Sequence, residues 1–266
     1  MPAPVPAMLR GLIDDAALFP PGNAPFEEAV PAHRGYRQSW YEAMIGPLLI
    51  PQTRLGGLAP VQGRGELRIG VIVDGDLDRL PNDVAALGPD VHVTHYESRH
   101  ALDRLTATAP AWGKPVYAEI PFGDDALDAI RPTGFTPKFR TGGLAAELFP
   151  APGTLAAAIA GCRRRGLQFK LTAGLHEAVR HRDPATGFDH HGFLNVLVAA
   201  ADASEGADTG DLTATLASTD ADDLAARAAR VLDRPRALWT GFGSCSIDEP
   251  LGDLLTLGLL KRGDVS

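Results

Sequence analysis

Two lysines draw attention first, because each sits within a short run that reads as a buried strand ending in small residues. One run is Thr136-Pro137-Lys138-Phe139-Arg140-Thr141-Gly142-Gly143, and the other is Leu167-Gln168-Phe169-Lys170-Leu171-Thr172-Ala173-Gly174. Side chains alternate along a strand. Lys138 and Arg140 therefore share one face and Phe139 takes the other; Gln168, Lys170 and Thr172 share a face opposite Leu167, Phe169 and Leu171. Two ammonium groups land on the polar side of adjacent strands at matching heights. Burying such a group is costly unless it is paired or used. A second cation beside it lowers an amine's pKa and makes it a nucleophile. The chemistry this suits is Schiff-base formation between a lysine and a carbonyl substrate. The structural alternative is an ion pair, with Glu119 as the partner of Lys170.

Other residues fit around that chemistry. Arg140 with Thr141, Gly142 and Gly143 offers a bidentate clamp and close backbone N–H groups for a carboxylate or phosphate. Thr172 lies beside it. Ser244 and Ser246 flank Cys245 in a turn that also suits an anion. Glu119 and Asp74, carboxylates at strand ends, are candidates to move protons near an imine. His176 is placed to act as acid, base or hydrogen-bonding group, and Asn195 either faces the site or faces solvent. Cys245 has no adjacent histidine in sequence to make it a nucleophile. His176, His181, His190 and His191 match no zinc or metalloprotease spacing; no metal and no other cofactor is expected. Arg163-Arg164-Arg165 complements a helix dipole, and the Asp-rich 220–223 stretch is a helix N-terminus.

The elements that must position these groups alternate between short apolar strands and helical patterns. Strands are expected at 11–19, 47–51, 67–73, 91–96, 115–120, around Lys138, around Lys170 and at 238–242. Helices are expected at 26–41, 77–87, 99–108, 124–130, 153–165, 191–203, 221–232 and 250–261, with a short or irregular segment before Gly65. Residues 174–189 read as a long loop, and 205–219 as a polar surface excursion inserted before the eighth strand. Eight such units in a chain of this length predict an α/β fold, a single (β/α)8 TIM-type barrel over 1–266; an open doubly wound sheet is the alternative. In a barrel the site lies at the C-terminal strand ends. Those ends read Asp14 or Asp15, Gln52, Asp74, Tyr96 or Glu97, Glu119, Lys138 and Arg140, Lys170 and Thr172, and the turn 243–246, a strongly polar set to follow apolar strands.

Lysines on the sixth and seventh strands, each followed by small Thr, Ser or Gly residues, resemble the deoxyribose-phosphate aldolase branch of the class I aldolases. That resemblance implies an imine on Lys138 with Lys170 as its helper. It covers two strands. Arg140 stands where the family has a small residue, and Leu171-Thr172-Ala173-Gly174 is more similar to the family's sixth strand, so the roles of the two lysines stay open.

Composition bounds the function classes. The chain has 266 residues, 45% hydrophobic and 22% charged, with a formal net charge of −8. That is an ordinary globular composition, and its negative charge argues against non-specific binding to nucleic acid or to an anionic membrane surface. Two cysteines imply no disulfide framework and fit a reducing cytoplasm. Residues 1–10 lack the pattern of a signal peptide. The expectation is a cytoplasmic lyase of aldolase type acting on a small anionic carbonyl compound; the sequence leaves the oligomeric state open, a homodimer being common among barrels. Two alternatives stay open: a divalent-metal sugar isomerase or lyase built on Asp74, Glu97, Glu119 and His176, and a non-catalytic binding barrel.

Overall fold

In the computed structural model, which describes residues 5–59 and 65–262, eight parallel strands close into a barrel. In chain order the elements are β1 (Ile13–Asp15), α1 (Phe26–Tyr36), β2 (Ile45–Pro51), β3 (Leu67–Val73), α2 (Leu80–Ala85), β4 (Val91–Ser98), α3 (Leu102–Thr108) and β5 (Val116–Glu119). Then come α4 (Asp124–Ile130), β6 (Thr136–Arg140), α5 (Pro152–Arg165), β7 (Phe169–Thr172), a hairpin of β8 (His181–Arg182) and β9 (Asp189–His190), α6 (Phe193–Glu205), α7 (Thr209–Ala217), α8 (Ala221–Ala229), β10 (Trp239–Ser244) and α9 (Asp248–Thr256). Barrel neighbours follow chain order, and β10 closes the ring between β7 and β1. The predicted (β/α)8 architecture is the one observed. No helix among the described residues is long and apolar enough to cross a membrane.

Local chemistry sets the helix ends. α5 begins with Pro152, whose missing N–H costs nothing there, and ends in Arg163-Arg164-Arg165 before Gly166 at φ 66°. Arg164 and Arg165 reach Asp124 at 3.2 and 2.8 Å, tying α5 to α4. Between β2 and β3 the described residues form a 3-10 turn, Gln52–Gly57; residues 60–64, which fall in the segment expected to be irregular, lie outside the described residues, as do 1–4 of the N-terminal stretch.

Two expectations change. The 205–219 segment is not a polar excursion. It holds α7, capped by Asp208 accepting from the Asp211 N–H, and Leu212, Thr215 and Leu216 are buried against α5 and α6. The three buried side chains are spaced at helical intervals, which a count of polar residues hides. The loop after β7 is likewise not structureless: β8 and β9 pair as a small hairpin, His181 opposite His190.

Alternation places the lysines as expected. Phe139, Phe169 and Leu171 are fully buried in the layer shared with α5 and α6, so Lys138 and Lys170 point to the barrel interior. Their Cα atoms are register partners, as are those of Glu119 and Lys138 and of Arg140 and Thr172.

Candidate active site

The interior of the barrel toward its C-terminal end is a chain of alternating charges. Lys170 Nζ donates to Asp14 Oδ2 and lies 2.6 Å from Glu97 Oε1. Glu97 Oε2 accepts from Lys138 at 2.9 Å. Lys138 is also 3.1 Å from Glu119 Oε2, and Glu119 Oε1 accepts from Arg140 Nε at 2.9 Å. The sequence Asp14, Lys170, Glu97, Lys138, Glu119, Arg140 thus runs from β1 through β7, β4, β6 and β5 without a gap. Asp14, Glu97, Lys138 and Lys170 are all buried. Two strands contribute space instead of charge: a Cβ on Gly46 of β2 would overlap the Asp14 carboxylate, and one on Gly70 of β3 would come within 2.6 Å of the His95 ring.

The charges fix one another's ionisation. Burial alone would raise the pKa of Glu97, but Lys170 and Lys138 outweigh it and hold Glu97 well below the usual carboxylate range. Burial would likewise favour a neutral Lys170, yet Asp14 and Glu97 outweigh it and hold the pKa above the ordinary lysine value. Glu119 follows the same pattern: burial is overcome by Lys138 and Arg140, and its pKa is lowered. The expectation that one lysine lowers the other's pKa is therefore corrected for Lys170. Glu97 stands between the two ammonium groups with one oxygen on each, so opposite charge dominates like charge.

His95 also faces this interior. Its Nε2 lies 3.2 Å from Lys170 Nζ and 3.0 Å from Glu97 Oε1. Thr94 Oγ1 donates to Ile69 O and lies 3.0 Å from His95 Nδ1, so Nδ1 carries a proton and donates to it. A neutral ring then accepts from Lys170 at Nε2, and a protonated ring donates to Glu97. Tyr117 closes the enclosure, its ring centroid 4.7 Å from Lys170 Nζ, a cation–π distance.

The outer end of the charge chain opens on a cavity of about 550 Å3 at the C-terminal side, walled by Arg99, Glu119, Ile120, Pro121, Phe122, Arg140 and the 147–154 segment. Its size suits a small molecule. A smaller hollow of about 220 Å3, near Met8 and Trp239, lies at the opposite end of the barrel from these charges.

Comparison of the chain with protein-family models and with curated proteins finds no match. Function therefore rests on what the side chains do.

The expected site residues divide. Lys138, Lys170, Glu119 and Arg140 come together. Asp74 does not join them: it is exposed, and its carboxylate binds the Thr53 N–H and hydroxyl at 3.0 and 2.8 Å. His176 lies apart from the lysines, against Glu249 and Cys245. Asn195 faces neither site nor solvent. It is fully buried, accepting from the Arg180 N–H and donating to Thr215 O and Ser218 O. Ser244 donates to Ser246 O at 2.6 Å, and Ser246 Oγ accepts the Glu249 N–H at the start of α9; both hydroxyls serve the turn.

Thr141, Gly142 and Gly143 are structural in the same sense. Thr141 donates to Ala173 O at 2.6 Å, and its N–H to Thr172 O at 2.9 Å. A Cβ on Gly142 would stand 2.7 Å from Gly174 Cα, and one on Gly143 would collide with Leu148. Across this contact Ala173 holds φ 65°, in the left-handed region that a residue with a Cβ rarely adopts. Thr172 is half-buried beside it. The two strand-end turns are clamped backbone to backbone.

His95 is the interior charge partner missing from the expected site; Asp14 and Glu97 stood among the strand ends, as alternatives to Asp15 and Tyr96, without a role in the lysine chemistry. The metal set of Asp74, Glu97, Glu119 and His176 does not converge. Among the described residues, the donor atoms of Asp14, His95 and Glu97 do lie within 4.8 Å of one another, but the Lys170 ammonium sits among them and supplies the positive charge itself.

Proposed function

We propose that the protein is a lyase of aldolase type, acting on a small anionic carbonyl compound through an imine on Lys138. The observation that carries the proposal is the alternating charge chain, buried at Asp14 and emerging at Glu119 and Arg140 on the cavity wall. Lys138 is the better nucleophile because its partner Glu119 reaches the cavity, whereas Lys170 is enclosed by Asp14, Glu97, His95 and Tyr117. The non-catalytic reading expects strand-end groups that satisfy one another and no open pocket; the groups are paired as it expects, and the open cavity beside Glu119 and Arg140 is what favours chemistry.

The mechanism follows from competition for Arg140. A substrate carboxylate or phosphate draws the guanidinium away from Glu119. Glu119, with its pKa no longer held down by Arg140, takes a proton from Lys138. The free amine attacks the carbonyl carbon, Glu119 returns the proton to the departing hydroxyl, and water leaves an iminium ion. Glu119 then accepts the proton of the β-hydroxyl as the carbon–carbon bond breaks. The bonding pair moves into the iminium to give an enamine. Protonation of the enamine by Glu119 and addition of water release the second product and restore Lys138. Lys170 remains charged throughout and keeps Glu97 ionised beside the reacting amine.

The test is intact mass after borohydride reduction with a panel of small aldehydes and keto acids, on the wild type, Lys138→Ala and Lys170→Ala. An adduct that persists in Lys170→Ala and is lost in Lys138→Ala is the expected result. Absence of any adduct, or an adduct lost only in Lys170→Ala, would remove the proposed role of Lys138.

A further inference from the structure

Two charged side chains on the wall of the cavity stand outside the charge chain, Arg99 and Glu147. Both are exposed, and neither forms an ion pair among the described residues. Arg99 follows Ser98 at the end of β4, two residues beyond Glu97, so strand alternation carries it to the same side as Glu97. There it shares the cavity with Arg140, which is engaged, its Nε and a terminal nitrogen 2.9 and 3.3 Å from the two Glu119 oxygens. The apolar part of the wall includes Phe122, Leu148 and Phe149, and Thr154 is its one hydroxyl. Both rings are held in place: Phe122 stacks on Phe139 at 5.1 Å, and Phe149 leans on His190 at 4.5 Å. Leu148 is one of two large hydrophobic residues exposed among the described residues.

We infer that the substrate of this cavity is a carboxylic acid with an aryl or branched-alkyl tail, its carboxylate held by Arg99 and Arg140 and its tail laid against Phe122, Leu148 and Phe149. The inference rests on the reading that the cavity serves the lysine centre, and names the kind of molecule it admits. A carboxylate at Arg99 meets a guanidinium that no carboxylate of the protein has to give up. From there it competes for Arg140. Two carboxylates, Glu119 and Glu147, share the wall with the two arginines, so one negative charge is better matched than the nearly two of a phosphate monoester. A polyhydroxy sugar phosphate is a poorer match still. Each hydroxyl taken from water needs a partner, and the apolar wall offers few. An aryl tail instead covers Leu148 and the two rings, and its transfer from water drives binding.

The test is equilibrium dialysis of the full chain with 3-phenylpropionate, propionate and glycerol 3-phosphate, on the wild type, Arg99→Gln, Leu148→Gln and Glu147→Gln. All three positions are exposed, and thermal melts check that the variants fold. In the wild type 3-phenylpropionate is expected to bind roughly ten-fold or more tighter than propionate, and tighter than glycerol 3-phosphate. Arg99→Gln is expected to weaken 3-phenylpropionate roughly ten-fold, Leu148→Gln to weaken it while sparing propionate, and Glu147→Gln to tighten both acids. Absence of 3-phenylpropionate binding, equal affinity for the two acids, tighter binding of glycerol 3-phosphate, or unchanged affinity in Arg99→Gln would overturn the inference. None of the probes has a carbonyl group that can form an imine. Borohydride trapping and dialysis therefore fail separately, one reporting on Lys138 and the other on what the cavity admits.

Discussion

Lys138 and Glu119 meet at 3.1 Å at the point where the buried charge chain reaches the cavity wall. On one side of this pair, Glu97 and Lys170 are sealed from solvent; on the other, Arg140 is one-third exposed. The pair thus joins the buried charges to the wall of the cavity.

Removing one member of the chain leaves its neighbours uncompensated. Lys170→Met strands Asp14 without an ammonium, leaves Glu97 with Lys138 alone, and is expected to destabilise the fold by about 3–5 kcal/mol. Adding Asp14→Asn removes part of the exposed charge, so the double variant is expected to be more stable than the sum of the two singles. A double-mutant cycle by urea denaturation measures this.

Acid is expected to weaken the fold through Glu119 and Glu97. Both carboxyls have folded-state pKa values below the ordinary 4.5. A depressed pKa contributes stability that is complete above the unfolded value and lost as pH falls through the folded one. Urea midpoints are therefore expected to hold from neutral pH to about 5 and to fall below about 4.5. In Glu119→Gln the fall is expected to be shallower. Lys170 adds nothing to this window, because a raised lysine pKa is lost only on the alkaline side.

Gly142→Ala drives a methyl into the backbone of Gly174 at 2.7 Å. Neither turn can retreat without breaking the Thr141 bonds, and a loss of about 1–3 kcal/mol is expected. Gly35→Ala, in α1 with nothing within 4 Å, is the control, expected to gain up to about 1 kcal/mol. Thermal melts of the two variants should move in opposite directions.

Asn195→Ala is expected to cost about 1–3 kcal/mol, since it leaves buried backbone groups of Arg180, Thr215 and Ser218 without a partner. Borohydride trapping per folded molecule is expected to be unchanged. A trapping defect without a stability loss would place Asn195 in the site after all.

The strand count, the barrel, and the inward direction of Lys138 and Lys170 were legible because period-2 alternation survives in β6 and β7. His95 was not, and the reason is local. Thr94 forms a bulge: Ile69 pairs with Val93 but Gly70 pairs with His95. Simple alternation groups His95 with the core residue Val93; the extra residue turns His95 and Glu97 inward. Asp14 stood in the strand-end set, but β1 has only three residues, too few for alternation to separate it from Asp15, which is turned to His33 at 3.0 Å. The Cys245 and His176 pairing had no signal at all in sequence spacing, because it is made by closure of β10 against β7. The buried face of α7 was legible in principle and obscured by its polar majority.

The backbone contact between Gly142 and Gly174 also limits how the mouth of this barrel can be re-engineered. The turn after β6 carries the chain on from Arg140, and the turn after β7 carries it on to His176. With no side chain between Gly142 and Gly174 to trim or enlarge, and Thr141 bonded across to Ala173 O, neither turn can be swapped for one of another length or shape by itself. A loop graft from a different barrel would have to bring both turns as a matched pair.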